Sequence, residues 1–123
     1  YADLQNAYGA QGIGGSIFEV ELDPTHPVAY GYSSSEAVFR VGTGFYEPSK
    51  EPGVSVGTYA TPARMSGYIS EEQAEAANGA ASIEAHNVGR GNVVMFMDNP
   101  NFRAFWYGSN GLFLNAIVFS ELF

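Results

Sequence analysis

The chain has no cysteine among its 123 residues. A disulfide framework, a thiolate nucleophile and a Cys-type zinc site are therefore excluded within this segment. Basic residues are scarce: five Lys and Arg stand against thirteen Asp and Glu, giving a formal net charge of −8. Arg40, Lys50, Arg64, Arg90 and Arg103 are scattered singly. Phosphate is held by clustered cations, so neither nucleic acid nor an anionic membrane is an expected partner. No run of about 18 apolar residues is present, so no membrane span is expected. There are only two histidines, His26 and His86, and neither has the spacing of a zinc motif, so no metal or cofactor is expected to bind this chain.

Further absences narrow the chemistry. There is no Gly-x-Ser-x-Gly elbow and no Gly-Lys-Ser/Thr. The glycine string from Gly9 to Gly15 precedes a strand and opens no helix, which is the wrong context for a dinucleotide cradle. Glu19 and Glu21 lie on one strand face, which reads as a solvated face rather than an acid/base pair. No catalytic residue is assigned.

What is present is enough for a folded domain. Hydrophobic residues make up 46% and aromatics 15% of the chain, which excludes a disordered acidic tail and suits one domain. Residues 1–15 read as a flexible entry segment and 16–123 as a single domain. Phe18, Val20 and Leu22 alternate with Glu19 and Glu21, the mark of a half-buried strand that Pro24 and Pro27 end. Further strands are expected over 37–41, 54–59 and 80–88, with a possible edge piece at 65–69. Ser70-Glu71-Glu72-Gln73 is a capping-box pattern, predicting a short helix near 71–78 that Asn78-Gly79 stops. Val93 to Met97 is continuously apolar, which predicts a central strand near 92–98 covered on both faces. Leu112 to Phe119 is apolar nearly all round, which predicts a buried helix near 111–122 capped by Ser109 or Asn110. The expected class is α/β or α+β with a mixed sheet.

The densest group of informative side chains is the segment from Asp98 to Gly108. It leaves the expected central strand, where open α/β sheets bind ligands. Asp98, Asn99, Arg103 and Trp106 are the ligand-binding candidates there, with His26 from the earlier turn. Arg103 is suited to grip a carboxylate with two prongs. The alternative, which we prefer, is that Arg103 pairs with Asp98 or with carbonyls and staples the loop while Phe102, Phe105 and Trp106 pack. An exposed row of Tyr8, Tyr30, Tyr32, Tyr46, Tyr59, Tyr68 and Tyr107 would instead suit a small carbohydrate- or peptide-binding module.

The run Gly89-Arg90-Gly91-Asn92-Val93-Val94-Met95-Phe96-Met97-Asp98-Asn99-Pro100-Asn101-Phe102-Arg103, followed by an apolar stretch with Asn115-Ala116, resembles the C-terminal end of large secreted bacterial zinc carboxypeptidases of the M14 type. Gly15-Ser16-Ile17-Phe18 and Asp23-Pro24-Thr25-His26-Pro27 are similar to the same family, and the likeness spans most of residues 14–120. The resemblance implies a class I glutamine amidotransferase-like (flavodoxin-like) accessory domain following the peptidase. It implies a non-catalytic role in structure, substrate positioning or assembly, and a secreted or periplasmic location. Zinc would belong to the parent catalytic domain, whose His-x-x-Glu motif is not in this sequence. The partners implied are that catalytic domain and, through an open sheet edge, a second copy. The chain starts at Tyr1 rather than Met, which accords with a piece of a longer protein. An autonomous hydrolase with a site near Asp98 and Arg103 is the alternative enzyme reading.

Overall fold

The computed structural model describes residues 11–123. Residues 1–10 of the expected entry segment, Tyr8 among them, lie outside the described residues. Ile13 of that segment is buried, and its carbonyl accepts the Gly42 N–H at 3.2 Å.

Five strands build the fold: β1 (Ser16–Leu22), β2 (Ser35–Arg40), β3 (Ser55–Ser66), β4 (Ala81–Val88) and β5 (Gly91–Phe96). They form one sheet in the order β2-β1-β3-β4-β5. Every pairing is antiparallel, which replaces the expected mixed sheet. The connections explain this. A tight turn links β4 to β5, a longer connection through the 3-10 turn Pro27–Ala29 links β1 to β2, and a return through α1 (Glu71–Ala77) links β3 to β4, so each of these neighbours runs back along the other, while residues 41–54 carry the chain from β2 past β1 to β3.

β1 follows its period-two pattern. Ser16, Phe18, Val20 and Leu22 are buried, while Ile17, Glu19 and Glu21 are not. Phe18 packs against Tyr59 and Phe45, with ring centroids 5.7 and 6.4 Å away. The sheet curls around this core, with register shifts on both sides of β3. As a result Arg40, at the end of β2, reaches the Met97 carbonyl and Asp98 just beyond β5, although these strands stand at opposite ends of the sheet order.

α1 forms where its cap predicts. The Ser70 hydroxyl accepts the Gln73 N–H at 3.3 Å, and Gly79 takes φ 71 just past the C-terminus. The return arm of the capping box is not made, since Gln73 Oε1 is buried with no partner.

Two expectations are corrected. β5 is an edge strand, not the central one. Its apolar run has one half-buried face, Val94 and Phe96, and one open face, with Val93 and Met95 47% and 38% exposed. The C-terminal helix α2 (Asn110–Val118), followed by a 3-10 turn at Ser120–Leu122, is not buried: Leu112 alone is enclosed. α2 rests on the 3-10 turn Pro27–Ala29, where the Asn115 amide donates to the Val28 and Tyr30 carbonyls at 2.9 and 2.8 Å. One side of the helix makes these contacts and its other apolar side chains face outward. Neither Ser109 nor Asn110 supplies a side-chain cap, because the Ser109 hydroxyl donates to the Pro100 carbonyl at 2.9 Å.

Candidate functional site

The curl of the sheet brings four polar side chains, Arg40, Tyr59, Ser82 and Asp98, together in the core. Arg40 is 3% exposed. Its Nη1 donates to Asp98 Oδ1 at 3.1 Å, to the Tyr59 hydroxyl at 3.1 Å and to the Met97 carbonyl at 2.8 Å. Its Nη2 donates to the Gly44 carbonyl. The Tyr59 hydroxyl donates to Asp98 Oδ2 at 2.6 Å, and Ser82 completes the group. The Arg40 guanidinium also lies 4.6 Å from the centre of the Phe45 ring.

Burial sets the electrostatics of this cluster. It pushes the Asp98 carboxyl above the usual carboxylate range, against hydrogen bonds from Tyr59, Arg40 and Ser82 and the Arg40 charge. Burial, reinforced by the Asp98 charge, pushes the Tyr59 hydroxyl far above its ordinary value. At neutral pH Tyr59 is therefore a fixed donor. Both carboxylate oxygens are engaged, and the cluster ties β2, β3 and the segment after β5 together. It is a staple with no reactive atom presented to solvent. Arg40 Nε is the one guanidinium nitrogen left without a partner.

The five sequence candidates do not converge on one site. Asp98 is in the staple, with Arg40 and not Arg103 as its cation. Arg103 is exposed in a left-handed backbone conformation, φ 50, and its guanidinium lies over the Phe102 ring at 5.3 Å. It neither closes on Asp98 nor lines a cavity with it. Asn99 Oδ1 accepts the Asn101 N–H at 3.0 Å, a local turn bond. The Trp106 indole N–H donates to the Ala37 carbonyl at 3.1 Å, and its ring meets Phe39 at 6.0 Å. His26 stands apart, with Nδ1 accepting the Val28 N–H at 3.2 Å and its ring 4.9 Å from Phe123. Burial lowers the His26 pKa, with Asp23 opposing. His26 also lines an open groove of about 460 Å³ with Pro24, Pro27, Tyr30, Phe119 and Leu122.

Arg40 and Tyr59 were not singled out as a pair by their sequence. The available signal was positional: Arg40 shares the inward alternation of Val38, a position where a charge requires a buried partner. Glu84 and His86 form a second pair at 3.0 Å on β4, and Glu84 Oε1 accepts the Ser49 N–H at 2.6 Å. Of the tyrosines expected to form an exposed row, Tyr59 is instead buried and the Tyr32 hydroxyl is spent on the Gly108 carbonyl. Tyr30, Tyr46, Tyr68 and Tyr107 are exposed on separate connecting segments. Among the described residues no group of three or more His, Cys, Asp or Glu side chains is placed to hold a metal ion, and no helix is long and apolar enough to cross a membrane.

An apolar surface lies open on α2: Leu114, Ile117 and Val118 are between 59% and 62% exposed, Phe113 beside them is 41% exposed with its ring 6.1 Å from that of Phe96, and Leu122 follows. Comparison with protein-family models, with curated proteins and with solved structures finds no match for this chain.

Proposed function

We propose that this chain is a non-catalytic accessory domain of a secreted zinc metallocarboxypeptidase, and that α2 is the face by which it packs on the rest of that protein. The observation that carries the reading is the open apolar side of α2. A row of Phe113, Leu114, Ile117 and Val118 on one short helix is more than the scattered apolar exposure of a free surface. Taking such a side chain from full exposure to full burial is worth on the order of 1.5 to 3 kcal/mol, so covering these half-exposed ones is worth about half of that each. α2 carries no charged residue, so in a chain of net charge −8 it is a surface that another protein approaches without meeting carboxylates.

The identity of the parent rests on the resemblance of the Asp98-Asn99-Pro100-Asn101-Phe102-Arg103 loop and its flanks to the M14-type ending. The amidotransferase-like assignment rests on the same resemblance, and the antiparallel sheet adds no support to it. The inward engagement of Asp98 weighs against an autonomous hydrolase at Asp98 and Arg103.

The reading is tested by mixing the chain with the catalytic domain encoded beside it. The expected result is association that Ile117→Glu and Val118→Glu abolish, with no zinc-dependent release of C-terminal amino acids by the chain alone. Such release by the chain alone, or association indifferent to both substitutions, contradicts it.

A further inference from the structure

We propose that one face of the β4–β5 hairpin holds a Cu(I) ion between the His86 imidazole and the Met95 thioether, with Glu84 as the positioning residue for His86. The inference goes beyond the accessory-domain reading and uses neither the open side of α2 nor the parent's zinc.

The strand register brings the side chains together. In an antiparallel pair, opposed residues and residues two apart share a face of the sheet. Glu84 stands opposite Met95 and His86 opposite Val93, so Glu84, His86 and Met95 lie on one face. The other face of β4, with Ile83 and Ala85, is the one that joins the hydrophobic core. Met95 is the diagonal neighbour of His86. Such positions are about 7 to 8 Å apart, within reach of a long unbranched side chain. The His86 side chain is 30% exposed and Met95 38%, so an ion arriving from solvent meets both.

His86 is built as a ligand. Its Nε2 lies 3.0 Å from Glu84 Oε2, while Glu84 Oε1 accepts the Ser49 N–H at 2.6 Å. An ionised carboxylate only accepts, so it keeps a proton on Nε2. In the neutral ring Nδ1 then carries the lone pair, and among the described residues Nδ1 has no hydrogen-bond partner. A carboxylate behind the imidazole is how metal-binding histidines are oriented and made more basic. Burying a carboxylate is costly, yet Glu84 is 6% exposed and directs its charge at a side chain that stays open to solvent.

The donor set selects the ion. A thioether is a soft ligand that suits Cu(I), whereas magnesium, calcium and manganese take oxygen ligands. Zinc is held by thiolate, imidazole and carboxylate, and among the described residues no three such side chains converge. Cu(I) accepts a low coordination number, so an imidazole and a thioether suffice. The net charge of −8 favours the approach of a cation. The expectation that this chain binds no metal rests on histidine spacing, which takes no account of thioethers.

Titration with Cu(I) under argon, and with Ag(I) as a redox-inert stand-in, tests the proposal by NMR of the Met methyls and the His ring. The expected result is one ion per chain, with saturable shifts at Met95 and His86 and none at Met65, which is 57% exposed on β3. Met95→Leu and His86→Gln alter exposed side chains, and each should abolish the saturable shifts, while Met65→Leu should leave them intact. Glu84→Gln can still accept the Ser49 N–H, but its NH2 then faces His86 and draws the proton to Nδ1. It should weaken binding about 10- to 100-fold, with the change of tautomer visible in the ring nitrogen shifts. A wild-type chain that binds neither ion, binding that survives Met95→Leu or His86→Gln, or Zn(II) held as tightly as Cu(I) overturns the proposal. None of these outcomes bears on whether α2 packs on a peptidase.

Discussion

Arg40→Leu should be the most damaging single change among the polar residues of the core. It leaves the Asp98 carboxylate, 7% exposed, with only Tyr59 and Ser82 as donors, and it strips partners from the Met97 and Gly44 carbonyls. Breaking a buried pair from one side costs about 3 to 5 kcal/mol, because the remaining charge stays buried and uncompensated. At a urea slope of about 1 to 3 kcal/mol/M, the unfolding midpoint should fall by about 1 to 5 M. Asp98→Leu should cost a similar amount by stranding the guanidinium. The double variant removes both charges, so it should cost little more than either single one. The residual loss comes from Tyr59, which keeps only Ser82, and from the Met97 and Gly44 carbonyls that lose Arg40, an unsatisfied buried group costing about 1 to 3 kcal/mol. A double-mutant cycle by urea unfolding should then give a coupling of at least about 2 kcal/mol. Additive costs, or single variants that lose less than about 1 kcal/mol, would refute the buried staple.

Two further outcomes follow from local geometry. Gly67 has φ 91, and a Cβ there would lie 2.8 Å from Ser16 Cα, so Gly67→Ala should destabilise by about 2 kcal/mol or more in denaturant unfolding; a neutral change would contradict the packing of β3 on β1. The His26 pKa is lowered from 6.5 in the fold, so the unfolded chain binds the proton more readily. This contribution to stability is complete above pH 6.5 and is lost as pH falls through the lowered folded value. Thermal unfolding should show that loss, and His26→Asn, whose amide oxygen can accept the Val28 N–H at any pH, should reduce it. An unchanged pH profile in the variant would contradict the cap.

The legible parts of the fold were those with a local cause. Glu19 and Glu21 alternating with apolar residues announced β1, and the Ser70 cap with Asn78-Gly79 announced α1, because each pattern is written within a few neighbouring residues. The errors arose where the environment came from distant chain. Val93 to Met97 reads the same whether one face or both are covered, and only the sheet order places β5 at an edge. Leu112 to Phe119 has the composition of a buried helix, but burial depends on what lies above it. Asp98 reads in the sequence as a ligand-binding candidate, and the structure engages it inward in the core. Its partner Arg40 lies 58 residues away and is delivered by the curl of the sheet, which no spacing rule anticipates. The nearer Arg103 was the obvious cation, but its backbone turns left-handed and carries it outward.

The proposed role in a larger zinc peptidase is decided by the coding sequence upstream of Tyr1. The expected result is an open frame that continues upstream into a catalytic domain bearing a His-x-x-Glu motif and a distant third His ligand. An initiation codon immediately before Tyr1, or an upstream frame without that motif, would contradict it.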